Sequence, residues 1–312
     1  MSGYFADIPY IHTTLKTKRS TSMDNVYDFR VAHPEIFKQL SVKDMLFAYY
    51  KCPQVDKVVD VFSHYNEICF TLSGKKTLHH MAKSWTLTEN KSLFIRKAAY
   101  KAEKYDYEGW EILAFCFPDD FLRQVYKEYG QYWPLKALPQ PSSDMLMEIN
   151  VSDTIRVFFY SMLPYFSQNK PPSESLLELK FKELLLNIFS DPSNAGFLAY
   201  VASLNDQYKT PLWQVMEANY TFKLSVPEFA QIAQRSVSAF NREFREYYNT
   251  TPGKWLTEKR LLFAGELLTG TKKSVSEIAG ESGFENLSHF SRIFKEKYKV
   301  SPLQYRERTI SS

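Results

Sequence analysis

The side chains best suited to recognition chemistry lie in two short stretches near the C-terminal end of the 312-residue chain. Each stretch has a helical period that separates an aromatic face from a polar face. The polar faces consist of Ser238, Asn241, Arg242 and Arg245 in the first stretch and of Ser288, Ser291, Arg292 and Lys295 in the second. Arginine can pair bidentately with guanine and asparagine with adenine, so these residue types can recognise base edges. On a single helix, however, such a face is most often only a solvated surface.

The two stretches belong to an internal repeat. The segment from Ser225 aligns with the segment from Ser274 at an offset of 49 residues, which becomes 50 after one extra residue in the turn. Each copy opens with Ser followed three residues later by Glu, the capping-box pattern of a helix start. We therefore predict two helix-turn-helix units, at about 225–248 and 274–298. In this motif the second helix enters the major groove, and in both copies that helix carries the polar face. The repetition favours DNA recognition over a solvated surface.

The segment between the units is predicted to be a helix over about 252–268, opened by Pro252 and ended by Gly270. A 17-residue helix spans roughly 25 Å. Such a spacer could hold two reading helices about one DNA turn apart, roughly 34 Å. In the turns of the two units, Gln234 stands where the second copy has Gly283, so we expect strain in the first turn.

Composition and charge narrow the classes of function. Residues 212–312 carry 15 Lys and Arg against 11 Asp and Glu, whereas residues 1–211 carry 24 of each. The glycines form neither a GxGxxG nor a GxxxxGK[ST] pattern, which disfavours glycine-rich nucleotide folds. Cys52, Cys69 and Cys116 give neither a disulfide framework nor CxxC metal spacing, which favours a reducing compartment. No long apolar run or signal core is present, so we expect a cytoplasmic protein without a membrane span.

The pattern of the first part of the chain changes near residue 117. Short β-branched and aromatic runs over about 43–117 predict a compact β-barrel or sandwich. Apolar residues at three- and four-residue steps then predict helices over about 119–190, including a hairpin of 153–168 and 173–190. The second arm of this hairpin carries a broad apolar stripe, which would either pack on the β-domain or form a dimer interface.

The second repeat unit, IAGESGFENLSHFSRIFKEKYKVSPLQYR, closely resembles the signature of the AraC/XylS family of bacterial transcription regulators. The residues at matching positions are Ile278, Ala279, Gly283, Phe284, Phe290, Arg292, Phe294, Lys295, Pro302, Tyr305 and Arg306. Lys299 departs from the usual glycine, and His289 stands where an aromatic residue or Thr is common. Neither departure touches the polar face.

This resemblance implies a mechanism. Both reading helices would enter successive major grooves of promoter DNA, and the protein, an activator, would contact RNA polymerase. The base-facing positions carried over are Ser238, Asn241 and Arg242 in the first helix and Asn286, Leu287, Ser288, Ser291 and Arg292 in the second. Arg245 and Lys295 would hold phosphates. Leu287 could contact a thymine methyl group or fill the edge of the core. No cofactor is implied.

The first two-thirds of the chain resembles the regulatory half of the same family only loosely. The expected fold class is α+β: an N-terminal cupin-like β-barrel with a helical hairpin, and a C-terminal all-α domain of two helix-turn-helix units joined by a linker helix. We expect a regulatory and dimerisation domain over 1–190, a linker over 191–211 and an AraC-type DNA-binding domain over 212–312. A homodimer would form through residues 153–190. The effector, a small molecule or a protein, is left open.

Two other classes of function remain as alternatives. One is a metal-dependent cupin-type enzyme with a C-terminal helical regulatory domain. Its metal site would need clustered ligands, but His79 and His80 are adjacent and would point to opposite faces of a strand, and His64 is isolated. We therefore expect no metal site and no enzyme. The other alternative is a protein-interaction module, which would need an apolar patch where the sequence has Ser, Asn and Arg.

Overall fold

Aromatic and β-branched runs of the N-terminal part form β-strands that pair into two sheets. The computed structural model describes residues 23–105, 109–133, 138–168, 170–205 and 211–310. The strands are β1 (Asp24–Asn25), β2 (Lys38–Val42), β3 (Met45–Lys51), β4 (Val58–Phe62), β5 (Asn66–Gly74), β6 (Lys76–His80), β7 (Lys83–Leu87), β8 (Ser92–Ile95), β9 (Ala99–Lys104), β10 (Trp110–Phe117) and β11 (Leu146–Ile149).

The two sheets are open. One has the strand order β1-β4-β9-β6-β7 and the other the order β11-β8-β5-β10-β3-β2. Every pairing is antiparallel except that of β1 with β4. Within the described ranges no backbone pairing joins the two sheets, so the expected barrel is not closed. The sheets are instead held together by side-chain packing, with Tyr50, Cys69 and Ile112 of one sheet in the same core as Leu78 and Tyr100 of the other.

The opposite face of the six-stranded sheet is covered by helices. This second core is unusually aromatic: the rings of Phe47, Phe115 and Phe117 lie 4.9–5.7 Å from the ring of Phe181. The covering helices are α2 (Asp119–Tyr129), α3 (Asp153–Met162), α4 (Glu174–Ser190) and α5 (Ala195–Asn205), and a further helix, α1 (Val26–Ala32), follows β1. The sequence did not predict β11, which pairs with β8 at the sheet edge. The sequence pattern also predicted no helix in residues 191–211, which were expected to be a linker. Helix α5 lies there and buries Phe197, whose ring centre is 4.1 Å from that of Phe94.

The remaining chain is helical. Its helices are α6 (Leu212–Asn219), α7 (Val226–Ile232), α8 (Val237–Tyr248), α9 (Pro252–Gly270), α10 (Val275–Glu281), α11 (Leu287–Tyr298) and α12 (Pro302–Ile310). They form two small cores, one around Phe240 and Phe244 and the other around Phe290 and Phe294. Helix α9 contributes to both cores. None of the described helices is long and apolar enough to cross a membrane.

Candidate nucleic-acid interface

Helices α7–α8 and α10–α11 form the two units that carry the predicted polar faces. Each unit begins with the predicted capping box. The backbone N–H of Ser225 donates to the Glu228 carboxylate at 2.5 Å, and that of Ser274 donates to Glu277 at 2.7 Å. These bonds satisfy N–H groups that have no partner within the helix. The first helix of each unit therefore starts where the capping pattern predicts.

The turns inside the two units have the same left-handed backbone. Gln234 has a φ of 54° and Gly283 has a φ of 85°. A Cβ atom at Gly283 would lie only 2.8 Å from the Thr221 carbonyl oxygen and from Nε of Arg260, so the chain has no room there for a side chain. The expected strain in the first turn is confirmed, because a residue with a Cβ adopts this backbone only at a cost.

The second helices also end alike. Asn249 after α8 and Lys299 after α11 both have left-handed backbones, with φ values of 51° and 62°. In each case the backbone N–H donates to a carbonyl of the last turn, that of Arg245 for Asn249 and that of Lys295 for Lys299. Lys299 thus adopts the conformation that glycine favours at this position, and the chain continues into Pro302 as the repeat predicts.

The aromatic faces of α8 and α11 point inward and the polar faces point outward. Phe240, Phe244, Phe290 and Phe294 are completely buried. Because these rings fix the rotation of each helix, the predicted contact residues lie on the opposite side. Those that are exposed are Ser238, Arg242, Arg245, Asn286, Leu287, Ser288, Arg292 and Lys295, and those that are half-buried are Asn241 and Ser291.

Several of the predicted contact residues already have local partners. The Asn241 amide donates to the Val237 carbonyl at 3.0 Å. Asn286 is the N-cap of α11, and its side-chain oxygen accepts from the N–H of His289 at 3.0 Å. Its amide NH2 group makes no hydrogen bond to the described residues. Asn286 therefore combines a structural role with a free donor at the start of the helix.

The two arginines at matching positions differ in their surroundings. Arg292 donates to Glu296, one turn further along α11, at 2.7 Å. The side chain of Arg242 has no hydrogen-bond or ion-pair partner among the described residues, and neither have those of Arg245 and Lys295. These four cations form the positively charged part of the outward faces.

Arg260 and Arg306 position the units, and sequence reasoning missed both roles. Arg260 of α9 donates to the carbonyls of Tyr220 and Phe222, at 2.6 and 2.7 Å, in the chain leading into α7. Arg306 of α12 binds the carbonyls of Leu268 and Lys273, which precede α10, in a similar way. Burial lowers the pKa of Arg260 to about 10, so it remains charged at neutral pH. The family signature contained Arg306 but gave no sign that its partners are backbone carbonyls.

The histidines of the strands do not come together. His79 contacts Ser84 and Glu103, whereas Nε2 of His80 is 2.9 Å from the Ala218 carbonyl oxygen on the C-terminal helices. Within the described ranges no group of three or more His, Cys, Asp or Glu side chains is placed to hold a metal ion.

Comparison with known proteins identifies both parts of the chain. Residues 66–200 match the model of the ExsA N-terminal regulatory domain, and residues 229–308 match a helix-turn-helix domain model. The virulence regulon transcriptional activator VirF of Yersinia enterocolitica is 25% identical over 235 residues, which are 75% of this chain and 86% of VirF. This chain belongs to the AraC/XylS family of transcriptional regulators.

Two further proteins align over similar lengths. The HTH-type transcriptional regulator ExsA of Pseudomonas aeruginosa is 21% identical over 76% of this chain and 84% of its own. Among solved structures, ToxT of Vibrio cholerae aligns over 85% of this chain and 98% of its own length, with 13% identity and a TM-score of 0.41.

Proposed function

We propose that this chain is a sequence-specific activator of transcription that reads two successive major grooves of promoter DNA with α8 and α11. The observation that carries the proposal is the outward polar face on the second helix of both units, opposite fully buried phenylalanines. A solvated surface would not require the same arrangement twice. The names of the relatives, which include transcriptional activators, support regulation by activation. Contact with RNA polymerase belongs to the same proposal.

Within this proposal the exposed side chains divide between bases and phosphates. Ser238, Asn241 and Arg242 of α8 would contact base edges. Their counterparts at the start and on the face of α11 are Asn286, Leu287, Ser288, Ser291 and Arg292. Arg245 and Lys295 lie further along each helix and would bind phosphates, which fix the register of the protein on the duplex. The half-exposed side chain of Leu287 would contact a thymine methyl group.

Replacement of either base-reading arginine tests this assignment. Arg242→Ala and Arg292→Ala should each weaken the binding free energy by about 1–3 kcal/mol on DNA that the wild-type protein selects from a random library. Each should also relax the base preference at one position of the site. Fluorescence anisotropy measures the affinity, and a repeated selection measures the preference. Lys57→Ala, which removes one exposed cation outside both the two units and residues 153–190, is the matched control. Unchanged affinity and selectivity in both variants would refute base reading by these helices.

The phosphate contacts have a different signature. Arg245→Ala and Lys295→Ala should weaken binding to all sequences alike. Each should also reduce the slope of log affinity against log salt by about one unit, because one fewer counterion is released. A salt titration on selected and on random duplexes measures both effects. A slope of log affinity against log salt equal to that of the wild type in both variants would reject the phosphate role.

We also propose that residues 1–190 form the regulatory part, with a cupin-like arrangement of its two sheets, and that residues 153–190 pair two chains. Most of the apolar stripe of α4 packs inside the chain, but Leu176 and Leu179 remain exposed, as does Val157 on α3. We expect light scattering to give a dimer at micromolar concentration, in free solution or on DNA. A monomer under both conditions would exclude the homodimer.

A further inference from the structure

The turn of the first unit is tied to its reading helix by an ion pair. Arg235 lies between α7 and α8, and its guanidinium donates to both carboxylate oxygens of Glu243, from Nε at 2.6 Å and from Nη2 at 2.8 Å. Nη1 donates to the carbonyl of Ala233, the residue at which α7 ends, at 2.7 Å. One side chain therefore holds the end of α7 and the middle of α8 together through three hydrogen bonds.

The two partners of this pair differ in exposure. The Arg235 side chain is 3% exposed, whereas that of Glu243 is 44% exposed. Because a buried cation is costly without its partner, the Glu243 carboxylate is held at the guanidinium rather than in solvent. A planar guanidinium that donates two parallel hydrogen bonds to a carboxylate also restricts the direction from which the carboxylate approaches. The pair therefore defines a geometry as well as compensating a charge.

The second unit carries apolar residues at the matching positions. The backbone N–H groups of Arg235 and Phe284 each donate to the carbonyl five residues earlier, so these two residues are equivalent. Glu243 corresponds to Ile293 at the offset of 50 residues. Phe284 and Ile293 both pack in the second small core. The second unit thus joins its turn to its reading helix by apolar packing, which has little directional preference.

Glu243 lies beside the residues of α8 that are expected to read bases. It directly follows Arg242 and is two positions from Asn241. The buried rings of Phe240 and Phe244 determine which face of α8 points outward, and the ion pair holds that helix against the end of α7. A hydrogen bond to a base edge needs a donor–acceptor distance of about 2.7–3.2 Å. A shift of α8 by about 1 Å is therefore enough to weaken such a contact.

We propose that Arg235 and Glu243 are positioning residues for base reading: the pair sets the place of α8 on α7 and so the direction in which Arg242 and Asn241 meet the bases. This inference rests on the proposed reading of DNA by α8, and it assigns no DNA contact to the pair itself. A role in stability alone would lower the affinity for all sequences by one factor, because only the fraction of competent protein changes. A positioning role instead changes the preference among bases.

Arg235→Lys tests the proposal with the charge retained. Lysine can still pair with Glu243, but it lacks the planar fork of arginine. In selection from a random DNA library, we expect base discrimination to fall by about 5-fold or more at the half-site that Arg242→Ala defines, as for the loss of one bidentate base contact. Discrimination at the half-site that α11 reads should be unchanged. Glu246→Gln, which removes an exposed carboxylate from the same helix, is the matched control and should select as the wild type does.

The outcomes separate this inference from the function on which it rests. Wild-type discrimination at both half-sites in Arg235→Lys, with its fold checked by circular dichroism, would overturn the positioning role and leave DNA reading by α8 intact. A uniform loss of affinity for all duplexes would also overturn it, since that result assigns the pair to stability alone. A wild-type protein without base preference at either half-site would instead refute the proposed function.

A second variant covers the case in which Arg235→Lys does not fold. Arg235→Phe combined with Glu243→Ile copies the apolar residues of the second unit and removes both charges of the pair. This double variant should select different bases at the half-site read by α8 and the wild-type bases at the other. Wild-type selection at both half-sites would then overturn the proposal.

Discussion

Gly283 and Gln234 occupy the same position in the two repeat units, but their surroundings differ. A Cβ atom added at Gly283 would lie 2.8 Å from the Thr221 carbonyl oxygen. Gln234 instead extends its side chain, and its amide oxygen lies 3.2 Å from Nζ of the buried Lys97. The sequence predicted the strained turn from the missing glycine. It could not predict the contact with Lys97, because that residue lies 137 positions away and is brought close only by the packing of α6 and α7 on the sheets.

Gly283→Ala should therefore destabilise the second unit by about 2–4 kcal/mol. The alanine would have to adopt the strained left-handed backbone, and its Cβ would clash with the Thr221 carbonyl oxygen. Urea unfolding, followed by circular dichroism, measures the loss. Gly280→Ala, three residues earlier on α10, is the matched control, because nothing lies within 4 Å of its added Cβ. We expect that variant to be neutral or slightly more stable. Equal losses of unfolding free energy in the two variants would contradict this steric explanation.

At the scale of elements, the helices of the two units were predictable because their signals are local. Capping boxes, three- and four-residue aromatic spacing and helix-ending residues all lie within a few positions of one another. The edge strand β11 and the helices α5 and α6 carry no comparable signal. β11 is defined by pairing with β8, some fifty residues earlier, and α5 by packing its aromatic residues on Phe94. Strand spacing alone allowed a β-barrel or a sandwich, because it does not distinguish two packed sheets from a closed barrel, and the family resemblance then favoured the cupin-like barrel that the two open sheets do not form.

Arg260 determines how α9 joins the first unit to the chain before it. Arg260→Met would leave the carbonyls of Tyr220 and Phe222 without these donors, and we expect a loss of about 2–4 kcal/mol in unfolding free energy. The neighbouring Lys259→Met removes only a partly exposed pair with Glu217 at 2.8 Å and should cost less than about 1 kcal/mol. Thermal denaturation of both variants makes the comparison. A loss in Arg260→Met no larger than that in Lys259→Met would contradict this role.

At the scale of the whole molecule, the sheets contact the C-terminal helices through α6 and the first unit. Asn219 accepts from the N–H of Ala99, His80 contacts the Ala218 carbonyl, and Phe62 belongs to the same core as the residues of α6. The order of the two parts along the chain was predictable from the change in sequence pattern. This interface was not predictable, because its residues lie on strands and helices that are far apart in the sequence and share no local pattern.

His80 makes part of this interface sensitive to acid. Burial lowers its pKa below the usual value, with Asp144 and Arg96 as the charged groups that face it. The neutral ring donates from Nε2 to the Ala218 carbonyl. As the pH falls below about 6.5, the unfolded chain takes up the proton first, so the folded state loses stability.

The stability lost between pH 7 and pH 5 should consequently be smaller in His80→Gln than in wild type. Melting temperatures at both pH values measure it, and His289→Gln, at an exposed position on α11, should behave as wild type. Burial also lowers the pKa of His64, so part of the acid loss should remain in every variant. An undiminished acid loss in His80→Gln would exclude this role.

The participation of α9 in both small cores has a geometric consequence for promoter recognition. This helix has 19 residues and is about 28 Å long. Its Leu256 packs in the unit that touches the sheets, and its Leu261, Ala264 and Leu268 pack in the far unit. A tilt of about 10° at the near end would shift the far end by roughly 5 Å, more than the rise of one base pair, about 3.4 Å. A small rearrangement at the sheets could thus change the spacing between half-sites that the protein prefers, by about one base-pair step.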